Sequence, residues 1–228
     1  MAKRITTDNT TQKVIAYLQG GERKAAEARV GGHSHTTAMP GPSFGTPAWE
    51  CITGSKLAKI PGSVCFKCYA RKNAYTYPNT VKANYRRFNG LLSPTWVADM
   101  AASLKPGEYF RWHDTGDVQS ISHLIRIVSV AYLRPDVYFW LPTKEKAFKR
   151  QFERAGGIFP PNLATRRSAA MINAYLSDSE GLSSMVYTDK ASVPEGTHIC
   201  PKPVQQGKCG DCRACWSKDV LRVAYKEH

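Results

Sequence analysis

Seven cysteines lie in two groups, Cys51, Cys65 and Cys68 toward the front and Cys200, Cys209, Cys212 and Cys215 toward the back. The rear group reads Cys-x8-Cys-x2-Cys-x2-Cys, and thiols two residues apart can converge on one centre because the backbone between them wraps round it as a tight turn. Disulfides or inert buried thiols are the alternative. An odd cysteine count, no apolar signal segment and no membrane-length apolar run argue instead for a reducing cytoplasmic setting and against a membrane partner. All seven cysteines are therefore candidate metal ligands. The cadence, three closely spaced cysteines plus a distant fourth, favours an iron-sulfur cluster, one or two of the 4Fe-4S type, over zinc, which more often pairs CxxC with CxxC or with histidines. Three front thiolates without an obvious fourth would leave one iron open to a substrate or cofactor. With zinc, His33 or His35 would complete the site, although that His-Ser-His run in a glycine-rich stretch reads more simply as a solvated loop.

A second set of candidates sits after expected strands. An aromatic strand, Glu108 to Trp112, runs into His113-Asp114-Thr115-Gly116-Asp117, three ionisable side chains within five residues; a second, Val137 to Leu141, runs into Pro142-Thr143-Lys144. His113, Asp114 and Asp117 are the candidate catalytic groups, histidine to move a proton and the carboxylates to orient it or hold a cation. Arg111, Thr143 and Lys144 are the candidate cofactor contacts. Helix capping and surface solvation are the plainer alternative.

Positioning these loops on one face requires a parallel sheet, in which chemistry gathers at the carboxyl ends of the strands. The pattern supplies one. Ser93-Pro94 starts a helix carrying Trp96, Val97, Met100, Ala101 and Leu104 on one face; Ser120 to Leu133 is a second helix and Thr143 to Ala155 a third, with a last strand at Met185 to Thr188. Strand and helix in alternation give an α/β chain of partial-barrel-like parallel βα units, flanked by cysteine-rich N- and C-terminal segments. Residues 1–50 read as an N-terminal helical and extended arm, with short helices at Thr11–Leu18 and Glu22–Val30 and a proline-rich loop from Met39 to Pro47, and residues 51–228 as a single α/β domain.

Of the 228 residues 32 are Lys or Arg and 18 Asp or Glu, a net charge of +14 that suits an anionic partner. No acidic residue occurs between Glu50 and Asp99, where Lys56, Lys59, Lys67, Arg71, Lys72, Lys82, Arg86 and Arg87 alternate with Phe66, Tyr69, Tyr75, Tyr77, Tyr85, Phe88 and Trp96. Cations that neutralise phosphates beside rings that stack on bases make residues 56–96 a candidate nucleic-acid segment. The same cations would equally neutralise an anionic thiolate-bound cluster.

Met39 to Phe44, Cys65-Phe-Lys-Cys-Tyr-Ala70, Phe110 to Asp117 and Gly207 to Trp216 together resemble the phage gene-product-eighty-eight family, a likeness that covers most of the chain and implies a viral protein working in the bacterial host cytoplasm. More distantly, a three-cysteine motif ending in CxxC-Tyr-Ala and feeding βα units is similar to phage proteins related to the radical SAM enzymes, which bind S-adenosylmethionine at the open iron of a 4Fe-4S cluster. Thirteen residues rather than three separate Cys51 from Cys65, and Lys67 stands where that family has an aromatic residue. Two functions follow as expectations. One is a cluster enzyme, radical SAM-like or redox, served by an electron donor or host factor. The other is a non-catalytic nucleic-acid or host-factor binder stapled by clusters or zinc.

Overall fold

The computed structural model describes residues 22–227. Seven strands form one sheet: β1 (Ser43–Phe44), β2 (Tyr109–Trp112), β3 (Tyr138–Thr143), β4 (Leu163–Ser168), β5 (Ser183–Tyr187), β6 (His198–Ile199) and β7 (Arg222–Lys226). Every pairing is parallel and the order is β1-β2-β3-β4-β5-β7-β6. The first five strands are neighbours in chain order, so their crossovers return repeatedly to the same side, as in a barrel that has not closed. The helices are α1 (Arg23–Arg29), α2 (Ile52–Leu57), α3 (Pro78–Gly90), α4 (Trp96–Ser103), α5 (Ile121–Leu133) and α6 (Lys146–Arg154). None among the described residues is long and apolar enough to cross a membrane.

Alternation along the strands gives the sheet two differently covered faces. Phe44, Phe110, Trp112, Phe139, Leu141 and Leu163 pack with Trp96 and Met100 of α4 and Leu124, Ile127 and Val128 of α5. The other face presents Tyr109, Trp140, Val223 and Tyr225, and the C-terminal segment with Ala214, Cys215 and Trp216 lies over it. Trp216 is fixed there by its indole N–H, which donates to the Phe110 carbonyl (2.9 Å).

Several boundaries differ from the sequence expectation. Within residues 23–50, α1 buries Ala26 and is followed by buried Val30, Arg29 pairs with Asp99 of α4 (2.7 Å), and Ser43–Phe44 of the proline-rich loop is the edge strand of the sheet. The expected Thr11–Leu18 helix lies outside the described residues. Thr143 does not begin a helix but ends β3, in register with Arg167, and α6 starts only at Lys146. Ser93-Pro94 precedes α4 by a turn, the Ser93 hydroxyl accepting from the Thr95 N–H (3.3 Å). The strand at residues 183–187 is followed by two more, and β4 lay unread between the third helix and it.

Candidate metal centres

After β1 the chain crosses the carboxyl end of the sheet. The crossing needs glycine at position 45, where a Cβ would stand 2.7 Å from Asp114 Oδ1 and 2.7 Å from Thr115 Cγ2. Cys51 then caps α2, whose Gly54 faces two thiols: a Cβ there would lie 3.5 Å from Cys51 Sγ and 3.7 Å from Cys65 Sγ, so both thiols border one space. The loop carrying them is tied to three strand ends. The Thr53 N–H and hydroxyl donate to Glu145 after β3 (2.7 and 2.8 Å), the Tyr69 hydroxyl to the Asp114 carbonyl after β2 (2.6 Å), and the Val64 N–H to the Ala170 carbonyl after β4 (2.9 Å).

Beneath this loop lie Asp117 and Lys144. Asp117 accepts from the Val118 N–H (2.8 Å), the Thr143 hydroxyl (2.6 Å) and the Lys144 N–H (2.9 Å), and the Lys144 ammonium donates to the Ala169 carbonyl (2.9 Å). Burial pulls the Lys144 pKa below its ordinary value, and Cys65, Asp117, Cys68 and Cys51 oppose that shift. Burial likewise raises the Cys51 thiol, helped by Asp117 and the other two cysteines, and raises Cys65, whose main opposing neighbour is Lys144. Asp117 is pushed up to about 6 by burial against its three hydrogen bonds. Three thiols, one ammonium and one carboxylate thus form a single electrostatic unit.

The other sequence candidates fall on either side of it. Asp114 is buried, and its Oδ1 has no hydrogen-bond partner. Arg111 lies on the inner face with its guanidinium over the Trp140 ring (4.5 Å) and donates to the Tyr69 hydroxyl (3.2 Å). Burial acts to lower its pKa, but Tyr69, Asp114 and Tyr225 outweigh that and leave it raised. His113 stands apart. Its φ of 61° turns the ring into the helix-facing core, against Phe44, Trp112 and His123, with Nδ1 3.0 Å from the Phe44 carbonyl oxygen. Burial lowers its pKa to about 4, so the imidazole is neutral at neutral pH. His33 packs on Phe110 and meets the Ser103 hydroxyl (3.0 Å), which is a packed rather than a solvated setting. Sequence reasoning missed Glu145, which anchors the front loop, and the positioning role of Tyr69, whose signal was its place directly after Cys68.

The rear thiols form a second group. Cys200 follows β6 with its N–H on the Ala224 carbonyl (2.9 Å), Cys209 donates its N–H to the Ala38 carbonyl (2.8 Å), and Cys212 closes a turn onto the Cys209 carbonyl (3.1 Å). Cys212 Sγ is 3.3 Å from His198 Nε2 and Cys215 Sγ is 3.2 Å from the Tyr225 hydroxyl. Burial raises the Cys200 and Cys209 thiols and pushes Cys215 up to about 12. Among the described residues no three His, Cys, Asp or Glu side chains close on one point at coordinating distance.

The sequence model of one protein family, described as gene product 88, matches residues 16–218. No curated protein and no solved structure matches the chain.

Proposed function

The chain belongs to the gene product 88 family, and we propose that it is an iron-sulfur enzyme whose reactive centre is held by Cys51, Cys65 and Cys68 at the carboxyl end of the sheet. The observation that carries this reading is the half-buried Lys144 ammonium set among the three thiols, two of which border the space over Gly54. Partial burial makes these thiols resist ionisation, and an ammonium beside them favours the thiolates that bind metal. The donor set fits a four-iron cluster with three thiolates and one open iron, which when bound would supply a site for substrate or S-adenosylmethionine. Zinc held by the same thiolates is the competing occupant.

The remaining residues then have roles of their own. Asp117 fixes Thr143 and the Lys144 backbone, and so sets where the ammonium points. Asp114, with a buried carboxylate oxygen lacking a partner, is suited to a cationic group such as the amino group of a small cofactor. The front loop, laced to β2, β3 and β4, holds the three half-buried thiols at the carboxyl end of the sheet. His113, neutral and turned into the core, orders the β1–β2 junction rather than moving protons.

Anaerobically purified protein is expected to be brown, with iron and acid-labile sulfide in equal amounts. Serine at both Cys65 and Cys68 should remove the front centre's share of the iron while the protein stays folded. Colourless protein with stoichiometric zinc and no sulfide would sink the cluster reading.

A second reading, nucleic-acid binding, draws support from the outer rim of the same loop. Lys56, Lys59, Lys67 and Lys72 are exposed there with Trp49, Phe66 and Tyr77, and Lys82 and Tyr85 are exposed on α3, which follows. Arg86 and Arg87 are otherwise engaged: Arg87 is buried and donates to the Gly45 carbonyl (2.6 Å), and Arg86 donates to the Gly31 carbonyl (3.0 Å). The phosphate contacts therefore fall to the lysines. Binding to single-stranded nucleic acid should weaken with salt, and the triple variant K56E/K59E/K72E should cut the log–log slope by about 2, at roughly 0.7 per phosphate contact. No binding at low salt would leave these lysines as cluster-neutralising or solubilising groups.

A further inference from the structure

Arg166 is fully buried (0% exposed) on the inner face of β4, and every N–H of its guanidinium is spent on a backbone carbonyl. Nε donates to Cys215 (3.0 Å), Nη1 to Ser183 (3.4 Å) and Leu221 (3.3 Å), and Nη2 to Ala214 (2.8 Å) and Ser217 (2.5 Å). This arrangement clamps residues 214–221, the end of the rear cysteine run, onto the sheet.

Carbonyls satisfy hydrogen bonds but carry no net charge. Among the described residues Arg166 has no carboxylate partner in any ion pair or hydrogen bond, and a guanidinium does not escape the problem by losing its proton. An uncompensated buried cation is strongly unfavourable. The same face holds a second cation, Arg111, over Trp140.

We infer that Cys200, Cys209, Cys212 and Cys215, whose sulfurs would draw together on the metal as it binds, hold a four-thiolate metal centre of net charge −2, with Arg166 as its buried counter-ion and as the clamp of its ligand loop. Four thiolates bring four negative charges, and either Zn²⁺ or a 4Fe-4S core in its 2+ state leaves the same −2. Two further groups already point at the sulfurs. His198 Nε2 and the Tyr225 hydroxyl stand 3.3 Å and 3.2 Å from Cys212 and Cys215, where each can donate a hydrogen bond to a thiolate, as outer partners of metal ligands do. Four ligands make this a closed centre, in contrast to the open front one, and it stands independently of the front-site reading.

The test uses the full chain, purified anaerobically, with iron, zinc and sulfide measured per chain. C65S/C68S is expected to keep one rear centre, read as four iron and four sulfide for the cluster or one zinc without sulfide for the tetrathiolate, and to shield the four rear thiols from iodoacetamide. C209S/C212S should lose that centre and keep whatever the front holds. Arg166→Lys preserves the charge with three donors in place of five, whereas Arg166→Gln keeps two amide donors and removes the charge. Lys should hold the metal, and Gln should release it to a chelator about tenfold faster. A C65S/C68S protein with no metal and freely alkylated rear thiols overturns the centre, and Gln holding metal while Lys loses it overturns the counter-ion.

Discussion

Alanine at Trp112 is expected to destabilise the protein by about 3–5 kcal/mol, the range for deleting a large aromatic side chain from a packed core. Trp112 is wholly buried, and its ring lies 4.9 Å from Phe110, 5.8 Å from Trp96 and 6.0 Å from both Phe44 and Phe139, the last of these stacked at 16°. These rings come from β1, β2, β3 and α4, so the cavity would open where four elements meet and could not collapse by moving one. The indole N–H has no partner, and its removal therefore orphans nothing; the loss is one of volume and dispersion. For a chain of this size the melting temperature should fall by roughly 10 °C. Trp112→Phe should recover much of that. A loss under about 1 kcal/mol would mean that the ring is not in the core. Because Trp112 leads directly into residues 113–117, the same variant should also loosen Asp117 and the front centre.

That part of the fold was legible because the apolar period is strong there. Phe110 and Trp112 alternate in β2, Phe139 and Leu141 in β3, and α5 repeats its apolar side chains at helical spacing, so pattern alone fixes the buried face of each. β4 was not legible. Its sequence, Leu163 to Ser168, puts two arginines in the middle of a strand, and a pattern reader takes Arg166 for a solvated residue. What buries it is a partner far along the chain, the carbonyls of the rear cysteine segment, which no local window contains. β1 and β6 are two residues each and exist only as edges of a sheet already formed. β7 does alternate, with Val223 and Tyr225 facing inward, but its charged ends masked it.

The candidate site divides in the same way. Asp117, Thr143 and Lys144 were marked by their positions after aromatic strands, and the parallel register brings them together. His113 shared that position, yet its left-handed φ sends the ring to the opposite side, a reversal that side-chain chemistry alone does not announce. Glu145 falls in the first turn of the helix expected from Thr143, and only the packed loop shows that it receives Thr53.

Methionine at Lys144 should have the largest effect on the front centre. The replacement keeps most of the volume and removes the ammonium, so the change is chiefly one of charge. Lys144 favours the charged form of Cys65, and without it the Cys65 thiol, already raised by burial, must rise further. A rise of one pKa unit is a tenfold smaller thiolate fraction well below the pKa. In metal-free protein the alkylation of Cys65 at pH 8 should therefore slow by about tenfold, and its pH–rate profile should move toward higher pH. Metal retention at the front should drop with it, while the rear cysteines keep theirs. Lys144→Arg, retaining the charge, should restore most of the rate. If methionine leaves the profile of Cys65 unmoved, the ammonium does not serve the thiols, and its bond to the Ala169 carbonyl is then its whole purpose.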